Sequence, residues 1–180
     1  MLLVYENRNT GVSAEWKKPV HVPPHLHEAI EVVYVTDGEI ELGVGQELFH
    51  MDEGDFAVVF PNVIHHYQVF GEKENKVIFL YLEPTLFPSY YRELQIYSPK
   101  NPVVVNAIKY LTGITEGDPR MIQAYAQMIL AHVFTTMPMM DKSAVGSGDL
   151  IYNAVEYVAK NFRENISLEK MAYELCVSKY

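Results

Sequence analysis

Short apolar runs separated by turn residues dominate the first half of the chain. Glycine, aspartate and proline residues stand between consecutive runs. The runs are Leu2–Tyr5, Glu31–Thr36, Glu39–Val44, Glu47–Met51, Phe56–Phe60, His66–Phe70 and Val77–Leu82. Many short strands with such punctuation predict an all-β sandwich or barrel over about residues 1–84.

Two kinds of strand are distinguishable within this pattern. Ile40 and Leu42 alternate with glutamates, as expected where one face of the strand meets water. Phe56–Phe60 and Val77–Leu82 are apolar at odd and even positions alike. These two strands are therefore expected to be covered on both faces, one by the barrel filling and the other by the helices that follow.

Apolar positions at helical spacing occupy the middle of the chain. Residues 85–97 are mixed and predict a short helix or an irregular crossover. A first helix is expected to begin with Asn101 as its cap and Pro102 at its first position, and to end at Gly113. Its predicted buried positions are Val104, Ala107, Ile108 and Leu111.

A second helix is expected from Asp118-Pro119 to about Thr135. Its apolar positions are Ile122, Tyr125, Ile129 and Val133, with Met121 and Met128 beside them. This pattern is apolar around more than half of the helix, which is more than packing on one barrel requires. The surplus predicts a second partner, and we expect a homodimer through this helical pair.

The last forty residues have a different pattern. Residues 139–149 mix serine, glycine and charge, as a linker between domains does. A helix is expected from Asp149 to Phe162, followed by a short helix capped by Ser167. A tight turn at Cys176-Val177-Ser178 then leads into another helix, which is expected to begin at Ser178. The order helix, short helix, turn and new helix predicts an incomplete helix-turn-helix over 150–180.

Composition and charge exclude several classes of protein. The chain has 180 residues, 49% of them hydrophobic, and a net charge of −9, which argues against a nucleic-acid groove over most of its surface. Its only cysteine, Cys176, cannot form an internal disulfide, which suits the reducing cytoplasm. The chain shows no secretory signal at its start and no apolar window long enough to span a membrane.

The candidate chemistry lies in two histidine-containing segments. His25, His27 and Glu31 have the same parity, but a straight strand would separate Glu31 from His27 by roughly 13 Å. They converge only if the chain bends within residues 28–30, where no glycine, proline or asparagine signals a bend. His65 and His66 come about thirty residues later. These groups predict either a metal site or a metal-free ligand pocket that uses them for hydrogen bonds, with Tyr34 and Tyr67 as candidates for its wall.

The spacing His25-x-His27-x3-Glu31-x6-Gly38 resembles the first cupin motif, and Gly54-x6-Pro61-x3-His65 resembles the second. The resemblance implies a double-stranded β-helix (jelly-roll) barrel that holds one divalent ion of Zn, Ni, Mn or Fe. It also implies a ligand set: His25, His27, Glu31 and His65. Asn62 stands where the second motif has glycine, and His66 is expected to point away from the site.

The tail resembles the opening of an AraC-type DNA-binding domain. The matching positions are Asn161-Phe162, Ile166-Ser167-Leu168, Ala172 and Val177-Ser178, with Cys176 where glycine is common. The resemblance implies that Ser178, Lys179 and Tyr180 start a recognition helix that is incomplete here. The chain is then expected to be a sensing domain (1–140, with the helical part about 85–138) cut within the DNA-binding domain, so that DNA is reached only through the missing region.

The two resemblances together imply one half of a ligand-responsive transcription regulator. This half would be cytoplasmic and not an enzyme, and it would bind a small effector in the barrel; sugars are a common choice in the family. Two other hypotheses stay open. One is a metal-dependent cupin enzyme of the isomerase or dioxygenase type, and the other is a metal-stabilised barrel without chemistry.

Overall fold

The computed structural model describes residues 3–8, 11–18, 21–44, 47–70, 74–86, 94–98, 102–113, 118–136, 140–141, 150, 153–154, 157–158, 161 and 163–178. Eleven strands lie within these residues: β1 Val4–Tyr5, β2 Ser13–Lys17, β3 Val22–Leu26, β4 Ile30–Asp37, β5 Glu39–Val44, β6 Glu47–Asp52, β7 Phe56–Val59, β8 His65–Gln68, β9 Lys76–Leu82, β10 Leu94–Ser98 and β11 Met140–Asp141. The helices are a 3-10 turn Pro84–Leu86, α1 Pro102–Gly113, α2 Pro119–Thr136 and α3 Leu168–Glu174.

The strands form two sheets. The five-stranded sheet has the order β1-β3-β8-β5-β6, and the six-stranded sheet has the order β11-β10-β7-β4-β9-β2. Every pairing is antiparallel except that of β1 with β3. The predicted fold, a mainly β barrel of two sheets followed by a helical pair, is confirmed.

Helix α1 explains why β9 is apolar on both faces. Its buried residues are the four that the sequence predicts, and it contacts β2 and β9. All of β7 and nearly all of β9 are buried. The Lys109 ammonium of α1 lies 6.0 Å from the centre of the Tyr34 ring, so Tyr34 on β4 faces this helix. The six-stranded sheet is therefore the middle layer of the domain.

Four strands were not predicted from the pattern of apolar runs. β2 has the sequence SAEWK, which contains few apolar residues. β3 contains Pro23 and Pro24, and proline is more typical of turns than of strands. β10 replaces the predicted short helix or crossover and pairs with β7. Met140 and Asp141, which the sequence places in the linker, pair with β10. These pairings join distant parts of the chain, so no local pattern indicates them.

The helices follow the predicted boundaries. In α2, Ile129 and Val133 are buried with Ala126 and Leu130, whereas Met121 is 43% exposed. The predicted cap at Asn101 lies outside the described residues, as do Asp149 and Phe162, the predicted ends of the next helix. Within the described parts of the chain, none of the helices is both long and apolar enough to cross a membrane.

Helix α3 begins and ends as the sequence predicts. The Lys170 amide donates to the Ser167 hydroxyl at 3.1 Å, which is the predicted N-cap. After the helix, Val177 N donates to Ala172 O and Cys176 N donates to Tyr173 O. Such a C-terminal turn requires a left-handed residue, and Cys176 has φ 54°. The cysteine therefore adopts the conformation that favours glycine.

Candidate metal centre

Four side chains converge inside the barrel at one end. His25 on β3, His27 just after it, Glu31 on β4 and His65 on β8 each offer one ligand atom, and these atoms all lie within 4.8 Å of one another. The residues are 3%, 1%, 0% and 1% exposed. All four residues that the cupin-like spacing indicates are thus brought together.

The bend that the sequence does not signal is a crossing between the sheets. Strand β3 belongs to the five-stranded sheet and β4 to the six-stranded sheet, and residues 28 and 29 turn the chain between them. Glu31 therefore reaches the histidines from the opposite wall. His27 Nε2 lies 2.9 Å from Glu31 Oε2, instead of the 13 Å or so of a straight strand.

Backbone carbonyls fix the orientation of all three imidazoles. His25 Nδ1 lies 2.9 Å from Pro23 O, His27 Nδ1 3.0 Å from Ala29 O, and His65 Nδ1 2.9 Å from Val63 O. A carbonyl can only accept, so each Nδ1 carries the proton and donates it. In a neutral imidazole the other nitrogen, Nε2, then presents a lone pair to the cluster. Such partners typically orient metal-ligating histidines.

The two oxygens of Glu31 have different neighbours. Oε1 accepts a hydrogen bond from the Tyr67 hydroxyl, whereas Oε2 faces the imidazoles. His65 Nε2 is 3.6 Å from Oε2, too far for a hydrogen bond, and among the described residues this buried nitrogen has no hydrogen-bond partner.

These lone pairs need a positive partner. A lone pair on His27 Nε2 that points at a carboxylate oxygen 2.9 Å away is repelled unless a proton or a cation lies between them. Three imidazole nitrogens and one carboxylate oxygen are a suitable ligand set for a divalent transition metal. The residues present therefore fit the ion that the cupin-like motifs imply.

Burial and charge set the protonation of the site. Burial alone would raise the pKa of Glu31, but the neighbouring imidazoles of His27 and His65 hold it well below its usual value. Burial, with a further contribution from His65, lowers the pKa of His25 to about 4. Burial and the Glu31 carboxylate raise the pKa of Tyr67 well above its usual value. Glu31 is thus ionised, His25 neutral and Tyr67 a proton donor near pH 7.

The structure separates the remaining predicted site residues. Tyr67 joins the cluster, but Tyr34 does not, because it is three positions from Glu31 on the same strand and faces α1. His66 lies on the outer face, where its ring covers Gly43; a Cβ on residue 43 would lie 1.9 Å from that ring. Ser178 is in the tail, and Lys179 and Tyr180 lie outside the described residues.

Asn62 has a role that the sequence signalled only as a departure from the motif. Asn62 adopts φ 67°, and its backbone N–H donates a hydrogen bond to the His27 carbonyl at 2.9 Å. Asparagine is among the few residues besides glycine that occupy this region readily. The carbonyls of Pro23, Ala29 and Val63 carry no sequence signal, because every residue has one.

The family described as AraC-like ligand binding domain matches residues 12–133. The chain belongs to this family. Because that match covers the strands β2 to β10, all of α1 and most of α2, the chain contains the ligand-binding domain of an AraC-type regulator.

Solved structures of AraC-type proteins have a similar fold. Apo ToxT K231A from Vibrio cholerae is 8% identical with a TM-score of 0.63, and the likeness covers 97% of this chain and 73% of ToxT. The AraC-like transcriptional activator CuxR is 14% identical with a TM-score of 0.52, covering 84% of this chain and 58% of CuxR. At sequence identities this low, the similarity shows a shared fold and nothing further.

A short stretch is similar to an enzyme. Over 49 residues the chain is 37% identical to a gentisate 1,2-dioxygenase from Haloferax sp. That stretch is 27% of this AraC-type chain and 14% of the dioxygenase. The chain therefore spans only a small part of that relative.

Proposed function

We propose that this chain is the effector-sensing half of a transcription regulator and that its barrel holds a divalent metal ion. His25, His27, Glu31 and His65 are the proposed ligands. The observation that carries the proposal is that three buried Nδ1–H groups donate to carbonyls, so that three Nε2 atoms face one ionised carboxylate. A bound cation would neutralise that carboxylate and satisfy His65 Nε2.

The chemistry of the ligand set favours particular ions. Imidazole suits Zn, Ni and Fe, and the carboxylate also accommodates Mn. When bound, such an ion supplies a Lewis acid that can bind an oxygen atom of a small effector. An effector can change the regulator only if it binds the two arrangements of the protein with different affinity. A sugar, the family's common choice, has the hydroxyl oxygens that this requires.

Metal analysis tests the proposal directly. The purified chain, dialysed against each metal and then against buffer, should retain about one ion per chain by plasma mass spectrometry. His27→Ala should lose it, because one of four ligands is gone. His50→Ala is the matched control, since His50 is an exposed histidine on β6, the edge strand of the same sheet that lies farthest from β3. Metal retained equally by the unaltered chain and by His27→Ala would contradict the site.

Dimerisation is a second part of the proposal. Met121 on α2 and Val103 and Tyr110 on α1 are exposed, and Tyr110 stacks on Tyr125 with ring centres 3.9 Å apart. This exposed apolar surface on the helical pair supports a homodimer. Sedimentation equilibrium at micromolar concentration should give twice the chain mass of 20.6 kDa. A monomer at that concentration would remove this part.

DNA binding belongs to the regulator as a whole. We propose that residues 142–149, which follow β11, link the sensing domain to an AraC-type helix-turn-helix that begins within 150–180. The capped α3 and the left-handed Cys176 after it support this assignment. The regulator carrying a complete helix-turn-helix should shift DNA from upstream of its own gene, in at least one ligand state. No shift in any state would contradict the regulatory function.

A metal-dependent dioxygenase is the second candidate. The buried three-histidine, one-glutamate cluster and the short likeness to the Haloferax enzyme favour it. Oxygen uptake by the iron-loaded chain with gentisate separates the two functions. Uptake that requires His27 would establish the enzyme. Its absence, together with effector-dependent DNA binding, would leave the regulator.

A further inference from the structure

The two oxygens of Glu31 have different neighbours because Tyr67 binds one of them. Tyr67 is not one of the metal ligands that the cupin-like motifs imply. Only Oε2 faces the imidazoles, at 2.9 Å from His27 Nε2 and 3.6 Å from His65 Nε2. Oε1 is held on the other side by the Tyr67 hydroxyl. A carboxylate can bind a metal through one oxygen or both, so the partner of Oε1 bears on which of these occurs.

We propose that Tyr67 is a positioning residue that makes Glu31 a one-oxygen ligand and thereby limits the coordination number of the ion. This role rests on the proposed metal site, because it concerns how Glu31 would bind the ion there. It assigns Tyr67 no direct contact with the metal.

Tyr67 is suited to this role because it is fixed from several sides. It lies on β8, between Leu42 on β5 and Val22 on β3, and only 1% of it is exposed. Its ring meets the ring of Phe79 from the six-stranded sheet edge-on, with centres 5.2 Å apart. Packing of this kind holds the ring in one orientation, so the hydroxyl stays directed at Glu31.

The hydrogen bond also connects the two walls of the barrel. Glu31 is the one ligand that comes from the six-stranded sheet, whereas Tyr67 and His65 lie on the same strand of the five-stranded sheet. Tyr67 therefore sets the distance at which the carboxylate meets the histidines. Without the hydroxyl, Oε1 would be a buried acceptor with no partner from Tyr67, and rotation toward the ion would satisfy it.

Tyr81 provides a matched control. It lies opposite Glu31 in the register of β4 with β9, and its ring centre is 5.7 Å from that of His27. It is therefore a second tyrosine beside the same cluster, but the donor to Oε1 is Tyr67. Tyr67→Phe and Tyr81→Phe each remove one hydroxyl from the same neighbourhood, and only the first removes the positioning contact.

The experiment uses Co²⁺ as the probe, because its visible absorption reports coordination number. The 180-residue chain and both variants are titrated with Co²⁺, and affinity is measured by competition with a chelator. Tyr67→Phe should bind roughly 10–100-fold more weakly, the usual effect of losing a partner of a ligand. Its bands should also weaken, as expected when a four-coordinate ion gains a ligand. Tyr81→Phe should keep the spectrum and affinity of the unaltered chain.

The other outcomes overturn the inference in distinguishable ways. An unchanged spectrum in Tyr67→Phe, at any affinity, shows that the hydroxyl does not set the coordination. Equal changes in both variants indicate a general effect of lost polarity. If the unaltered chain binds no Co²⁺, the proposed metal site itself fails, and the inference fails with it.

A second variant covers the case in which Tyr67→Phe does not fold, judged by circular dichroism of the protein without metal. Site-specific replacement of Tyr67 by difluorotyrosine keeps the ring and the hydroxyl but makes the hydroxyl more acidic. The stronger hydrogen bond should shift the Co²⁺ bands relative to tyrosine. Bands identical to those of the unaltered chain would overturn the inference.

Discussion

Among its described residues, the barrel carries two groups of histidine and carboxylate that behave differently. One is the buried cluster of His25, His27, Glu31 and His65, and the other is an exposed group of Glu39, His50 and Asp52. The buried imidazoles are held by carbonyls behind them, so their Nε2 atoms face the carboxylate. In the exposed group, both nitrogens of His50 already have a carboxylate partner, Glu41 at 2.7 Å and Asp52 at 3.3 Å.

The comparison teaches that residue type does not make a site. Water solvates the exposed group and screens its charges, so its geometry can relax at little cost. The buried group cannot relax in this way, and an uncompensated charge there is expensive.

Removing the buried carboxylate should be the most damaging change. In the metal-loaded chain, Glu31→Ala leaves the Tyr67 hydroxyl without its acceptor and the buried ion without its carboxylate, and breaking a buried charge pair in this way costs about 3–5 kcal/mol. Urea unfolding followed by circular dichroism measures the loss. Glu41→Ala, which removes the main partner of exposed His50, is the control and should cost far less. Equal losses in the two variants would erase the contrast.

Metal should stabilise the fold only through the buried group. At a hundredfold excess over its dissociation constant, an ion that binds only the folded chain adds about 2.7 kcal/mol to the free energy of unfolding. Thermal unfolding with and without Zn²⁺ should show the corresponding rise in Tm. His65→Ala should abolish this rise and His50→Ala should leave it intact. A rise that depends on His50 would place the ion at the surface.

The backbone around the buried group should be sensitive at Asn62. A left-handed non-glycine residue costs about 1–2 kcal/mol, a cost that asparagine avoids in part. Asn62→Ala should therefore lower the free energy of unfolding by about 1 kcal/mol, while Asn62→Gly should be close to neutral. The denaturant midpoint of each variant, compared at an unchanged m-value, measures the change in its free energy of unfolding. If alanine and glycine are tolerated alike, the left-handed conformation is not required.

The smallest effect concerns pH and the exposed group. The hydrogen bond that the His50 ring donates to Glu41, more than any other contact, raises the pKa of His50 above its ordinary value of 6.5. Because the folded-state pKa is the higher one, the stabilisation is full below pH 6.5 and is lost as pH rises through the raised value. Solvent screening limits it to at most about 1 kcal/mol. The difference in unfolding free energy between the unaltered chain and His50→Ala, measured from pH 5 to 8, should shrink with rising pH; a growing difference would contradict the sign.

Much of the site could be predicted without coordinates, and the errors have physical causes. The four candidate ligands follow from the resemblance of two spacings to the cupin motifs; the second spacing fits His65, and parity within a strand then directs the adjacent His66 to the other face. The same parity argument excludes Tyr34, which is an odd number of positions from Glu31 on one strand. The Tyr67–Glu31 hydrogen bond lies beyond such reasoning, because its partners are 36 positions apart and come from different sheets.

The sequence by itself determined the elements and their local chemistry: most of the strands, both helices of the pair, the Ser167 cap and the identity of the four converging residues. These features depend on neighbours within a few positions, which a pattern contains. Only the tertiary structure decided that the chain changes sheets between His27 and Ile30, that carbonyls orient the three imidazoles, and that each Glu31 oxygen has its own partner. Those outcomes depend on which distant strands pair. The free energy that stabilises this pairing comes from packing throughout the core, which no short segment contains.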